Sequence, residues 1–237
     1  MRRAITTITP ARGRNVELLL TALAIGVVAT VFAYASDAAQ HLFFLLTDPR
    51  TGPWLPLLMT PAGFVACAVI AERFFPGSQG SGIPQAMAAR RLEGRARFTY
   101  LTIRIAIGKF VLTVMGLLCG ASIGREGPTV QIGAALMMLS ARLGGMSDAR
   151  GLILAGSAAG IAAAFNTPLA GIVFAIEELG RAYSARTNGL VLSAVIIAGI
   201  ASLVAVPKWM TRKIPTTIAT ASVTPPHTHL RASRRSD

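Results

Sequence analysis

Charge is scarce in this chain of 237 residues: only 14% are charged, and acidic residues are the rarest of them, 10 Asp and Glu against 23 Lys and Arg. With 53% hydrophobic residues and a mean hydropathy of +0.58, that scarcity excludes an ordinary soluble domain, in which about a quarter of the residues carry charge. Aromatic residues reach only 6%, and no stacking aromatics accompany the basic clusters, which argues against nucleic acid as a partner despite a net charge of +13. Histidine is confined to His41, His227 and His229, at the end of the first apolar run and in the polar tail. An intramembrane hydrolase needs a membrane histidine or paired aspartates, so an enzyme is not expected. The two cysteines, Cys67 and Cys119, both fall in apolar runs and are expected as small buried packing residues, with no bearing on redox compartment.

What the chain has in abundance is long apolar blocks. They cover 16–46, 54–71, 98–118, 130–139, 151–165, 169–176 and 189–206. Several are long enough to span a bilayer, whereas others reach only about half of the ~20 residues a spanning helix needs. Short apolar pieces broken by Gly and Pro, without a charged face, are expected to be interrupted helices that bring helix ends and bare backbone into the membrane interior. The first block follows Arg2, Arg3, Arg12 and Arg14 and resembles a secretory signal, but it is long for one and more blocks follow, so it is read as an uncleaved first span. With 1–15 as a cytoplasmic basic N-terminus, a single topology puts Arg73, Arg90, Arg91, Arg95, Arg97, Arg142, Arg150, Arg181 and Arg186 on the cytoplasmic side. The fold class expected is all-α and polytopic, with a membrane domain over 16–206. Beyond it, 207–237 turns abruptly to Thr, Pro, Ser, Arg and His; it breaks both hydropathy and charge rules and is expected to be a disordered, non-native tail.

Three stretches carry chemistry. In the first, Gly80-Ser81-Gly82-Ile83-Pro84 opens a helix: Ser81 can cap it, Gly82 lets the backbone approach a ligand, and Pro84 sits in the first turn where it removes no needed donor. Unpaired N–H groups and the positive dipole end there fit an anion, although an ordinary N-cap has the same pattern. The second stretch, 120–128, reads Gly-Ala-Ser-Ile-Gly-Arg-Glu-Gly-Pro and opens the short segment 129–139 with the carboxylate of Glu126 at its start. Inside a membrane an ionisable residue is functional by default, since burying it unpaired costs several kcal/mol; the alternative is a structural charge paired with Arg125. A carboxylate at an anion seat is a tethered anion that competes with a free one, and protonation releases the seat, so one side chain can serve as gate and proton carrier. The third stretch, 156–171, is dense in Gly and Ala, which lets helices approach closely; Asn166 and Pro168 mark a break and a new start, and Glu177 and Glu178 close the following segment as an unremarkable surface pair. In block 98–118, Arg104 is placed to snorkel, and Lys109 lies deeper, facing protein or water.

In this order and spacing the three stretches resemble the CLC chloride channel and transporter family over residues 16–206. The resemblance implies a membrane fold of two inverted repeats, of which this chain holds the first. It implies chloride coordination by Ser81 with backbone donors at Gly82 and Ile83, the seat being completed by Gly124, Arg125, Glu126 and Gly127. Glu126 becomes the external gate and proton acceptor, and Glu178 the internal proton-transfer residue that family channels lack. Chloride/proton antiport is therefore the expected activity of the full-length parent, ahead of a voltage-gated channel or a nonfunctional truncated fragment. Serine at position 81 favours chloride over fluoride. Chloride, protons, membrane lipid and a second copy in a homodimer are the implied partners, in a bacterial-type inner membrane; no cofactor and no metal site are implied. The second repeat, with its Gly-x-Phe-x-Pro stretch and a tyrosine at the anion site, has no counterpart here.

Overall fold

A computed structural model describes residues 11–47, 54–92, 94–143, 149–177 and 185–205, all within one compact unit, Met1–Ala205. The described residues form eight α-helices and one 3-10 helix, with no strand among them: α1 (Ala11–Leu46), α2 (Leu55–Phe74), α3 (Ile83–Arg91), the 3-10 helix Gly94–Thr99, α4 (Ile103–Leu118), α5 (Glu126–Leu143), α6 (Ala149–Phe165), α7 (Pro168–Glu177) and α8 (Ala185–Ala205). Three stretches, Val16–Leu46, Leu55–Phe74 and Ala96–Leu118, are long and apolar enough to cross a membrane. The fold is that of an all-α integral membrane protein with broken helices.

The hub is α6. Its residues 151–163 are all buried, and it packs against α1, α3, α5, α7 and α8. Small residues make this possible. A Cβ on Gly133 or Gly160 would overlap the carbonyl of Gly156 or Thr129, so α5 and α6 meet backbone to backbone; Gly171 brings α7 equally close to Ala158. Without a hydrophobic drive between helices in lipid, such close contact maximises dispersion and supplies the cohesion.

The breaks fall at residues that can make them. Asn166 takes the left-handed conformation at φ 52°, and the amides of Thr167 and Asn166 bond back to the carbonyls of Ala162 and Ala163 at 3.0 and 3.3 Å, so a Schellman motif ends α6 and Pro168 starts α7. Gly120, at φ 87°, ends α4 the same way, with Ala121 and Gly120 bonding to Gly116 and Leu117. Both close the outgoing helix before the next begins.

Two expectations change. The segment expected as 129–139 belongs to an 18-residue helix, α5, because Gly127 and Pro128 lie in its first turn and the helix runs on through Leu143. The block at 98–118 is not one helix: it begins as the 3-10 turn, and α4 starts only after Thr102, whose hydroxyl accepts from the Ile105 amide at 3.3 Å. Of the cysteines, Cys119 is buried as expected, against Gly63, whereas Cys67 is only half-buried. The tail at 207–237 lies outside the described residues.

Candidate anion site at two helix starts

The first and second motif stretches come together. A Cβ on Gly82 would overlap the Gly127 carbonyl, and one on Gly127 would overlap the carbonyl of Ser81 and lie 3.4 Å from its Cβ. The starts of α3 and α5 are thus in backbone contact, and each helix start carries roughly half a positive charge. Gly82 and Gly127 are buried, while Ser81 is exposed with no hydrogen-bond partner for its hydroxyl among the described residues. The Glu126 side chain bends back over Gly124, where any Cβ would meet its Oε2, and the carboxylate has no hydrogen-bond or ion-pair partner among the described residues. Ile83 and Glu126 are half-buried and Gly124 is exposed.

Ser81 does not cap α3. The cap is Gly82, at φ 109°, a conformation closed to serine at little strain. Its amide donates to the side-chain oxygen of Gln85 at 2.9 Å, and the Gln85 amide donates to the Gln79 carbonyl at 2.6 Å. One of the two backbone donors expected for an anion therefore holds Gln85 in this conformation. Arg125 also differs from expectation: its guanidinium turns from the seat to α1, donating to the Asp37 carboxylate at 2.8 Å and to the Ala33 carbonyl at 3.3 Å.

Lys109 is 3% exposed, on α4, and reaches across to the loop before α3. Its ammonium donates to the carbonyls of Ser78 and Gly80 at 2.6 Å each, and that of Gln79 lies at 3.5 Å. A buried ammonium needs several acceptors, and here they are consecutive backbone carbonyls. Gathering those oxygens onto a cation removes negative dipole ends from the approach to α3. Arg104 is exposed and donates to the Phe74 carbonyl at 2.9 Å, closing the end of α2.

Sequence reasoning passed over Asp37, Gln85 and Gln131. Gln131 is fully buried beside Gly82; its amide donates to the Tyr100 carbonyl at 3.1 Å, and its own oxygen has no partner among the described residues. The one readable signal was Gln85, three positions after Gly82, the spacing of a residue that reaches back to a helix cap. At the far end of the third stretch, Glu177 is exposed at the rim of an apolar cleft of about 500 Å³ between α6 and α7, walled by Phe165, Leu169, Val173 and Phe174. None of the expected chloride-binding residues lines that cleft, and Glu178 lies outside the described residues.

Known proteins share sequence and fold with this chain. A family model described as voltage gated chloride channel matches residues 62–230, a match that runs past 206 into the tail. The H(+)/Cl(−) exchange transporter ClcA of Vibrio cholerae is 35% identical over 203 residues, covering 78% of this chain and 41% of the relative. The exchange transporter of the same name from Citrobacter koseri is 34% identical over 200 residues, covering 78% and 40%. A crystal structure of a slow cyanobacterial Cl−/H+ antiporter superposes with a TM-score of 0.70 at 26% identity, over 81% of this chain and 47% of that one. The chain thus spans about two fifths of the length of the curated relatives it matches. Two glycine-lined helix starts in contact, one bearing a carboxylate, occur here in a sequence matched by that family over most of its length, and the chain belongs to the voltage-gated chloride channel family.

Proposed function

We propose that this chain supplies the first repeat of a chloride/proton antiporter. The observation that carries the reading is the contact between the starts of α3 and α5, with the exposed Ser81 hydroxyl on one and the unpaired Glu126 carboxylate on the other. Two dipole ends pointing at one place favour an anion, and a carboxylate within that field is the natural rival of a halide. In this reading Ser81 and the Ile83 amide bind chloride. The Gly82 amide joins them when Gln85 moves off, and the backbone at Gly124, Arg125 and Gly127 lines the other side. Glu126 gates the seat and carries the proton outward, and Glu178 receives it from the cytoplasm. The names of the relatives, both exchangers, support coupling to protons rather than passive conduction.

The membrane is taken to be a bacterial inner membrane with the N-terminus cytoplasmic. Burial, and after it the nearby charges of Arg150 and Arg91, lower the Arg90 guanidinium below the usual value, so the basic end of α3 and the start of α6 share a side, as the positive-inside rule requires of one cluster. The outward apolar residues Leu169, Val173 and Ile176 of α7, with Ile196 and Ile200 of α8, suit a second copy in a homodimer, and those of α2 suit lipid.

Liposomes loaded with chloride, carrying this chain alone or with a separately made second repeat of a family member, test the proposal. Chloride efflux accompanied by proton uptake is expected with both repeats present, Glu126→Gln abolishing the proton flux and Glu178→Ala uncoupling it from chloride. Chloride efflux with no proton movement in the unsubstituted protein would replace the antiporter with a channel.

A further inference from the structure

Arg125 and Glu126 stand side by side in the sequence, a cation next to a carboxylate, and their pairing is the simplest use of both. The structure shows a different pairing. Asp37 and Ala33 lie one turn apart on one face of α1, and both accept from the same Arg125 nitrogen, at 2.8 and 3.3 Å, while the Glu126 carboxylate lies over Gly124. Both side chains of the Asp37–Arg125 pair are about two fifths exposed, at 43% and 40%. An ion pair that open to solvent adds little to stability. What it decides is direction: one carboxylate neighbours Arg125 in the sequence and another stands on α1, and the guanidinium pairs with the one on α1.

We propose that Asp37 is a positioning residue for the gate: by holding Arg125 against α1 it keeps that cation off Glu126 and leaves the carboxylate free to compete with an anion at the joined helix starts. The inference rests on the reading of Glu126 as the gate. Without Asp37, Arg125 turns to the adjacent carboxylate, draws it aside and removes the competitor, so the seat binds chloride more tightly but loses its gate.

Chloride binding to the purified chain combined with a separately made second repeat of a family member, in detergent and measured by titration calorimetry, tests this. Asp37→Asn is expected to tighten chloride binding roughly threefold to tenfold. The gain should disappear when Glu126→Gln or Arg125→Gln is added, and Asp37→Glu should restore ordinary binding. A gain that persists in both double variants is the bare removal of a negative charge and overturns the proposal, as does unchanged binding in Asp37→Asn. Should Asp37→Asn alone fail to fold, Arg125→Gln is compared with the Asp37→Asn, Arg125→Gln pair, which leaves no orphaned charge; equal affinities support the proposal and unequal ones overturn it. Glu126→Gln alone reports on the gate itself: tighter binding upholds the competing carboxylate, and no change removes the gate reading together with the role of Asp37.

Discussion

Two apolar helices of nearly equal length, α2 with 20 residues and α5 with 18, live in opposite surroundings. Of α2 only Ala71 is buried, and Leu57 and Leu58 are 73% and 76% exposed. Along α5 every residue from Gly127 to Ala135 is buried. The more apolar of the two, α2, is the exposed one, so burial here follows side-chain size rather than apolarity. Lipid tails are as apolar as leucine, so a helix surrounded by lipid gains nothing by turning leucines inward, whereas a helix surrounded by other helices must let their backbones approach. Accordingly α2 presents Leu, Val and Phe outward, while α5 meets α6 through Gly133, Gly156 and Gly160.

The contrast breaks most visibly at the small residues. Gly160→Val puts a branched side chain where even a Cβ overlaps the Thr129 carbonyl and lies 2.9 Å from its carbon. Neither backbone can retreat, and the expected loss is about 3 kcal/mol or more, read as collapse of the melting transition in detergent. Next comes Lys109→Met, which keeps the length and removes the charge. It leaves the Ser78 and Gly80 carbonyls without their donor, so stability should fall by about 2 kcal/mol, and chloride binding should weaken as those oxygens turn back toward the helix start. Gly82→Ala should cost less globally and more locally. The added methyl meets both a φ of 109° and the Gly127 carbonyl, parting α3 from α5 and weakening chloride binding about tenfold, the equivalent of ~1.4 kcal/mol.

The same contrast explains what could be read beforehand. The break at Asn166–Pro168 was legible because it depends on residues with special backbone preferences, and the order of the three motif stretches was legible as a family pattern. Local chemistry misled at Ser81: serine is the better cap by preference, but the left-handed φ at the next position belongs to glycine, and Gln85 then supplies the acceptor. The length of α5 was misjudged because Gly and Pro at 127 and 128 signal a boundary, and their place inside a first turn is visible only in the fold. The Asp37–Arg125 pair joins residues 88 positions apart, and nothing in either neighbourhood marks it. The contact of Gly82 with Gly127 is of the same kind: each glycine is readable as close approach, but not to what.

The smallest effect sharpens the comparison furthest. Leu58→Ala removes a large side chain that is 76% exposed on α2. In a packed core a leucine truncated to alanine costs about 2–5 kcal/mol, because the atoms removed leave a cavity behind. On a face turned to lipid or detergent the solvent fills the space, and the expected change in unfolding free energy is below about 0.5 kcal/mol. Met137→Ala, at a fully buried position of α5, supplies the reference within the same protein and should cost several times as much. A loss at Leu58 comparable to that at Met137 would mean that protein, not lipid, covers the outer face of α2, and size would then no longer distinguish the two environments.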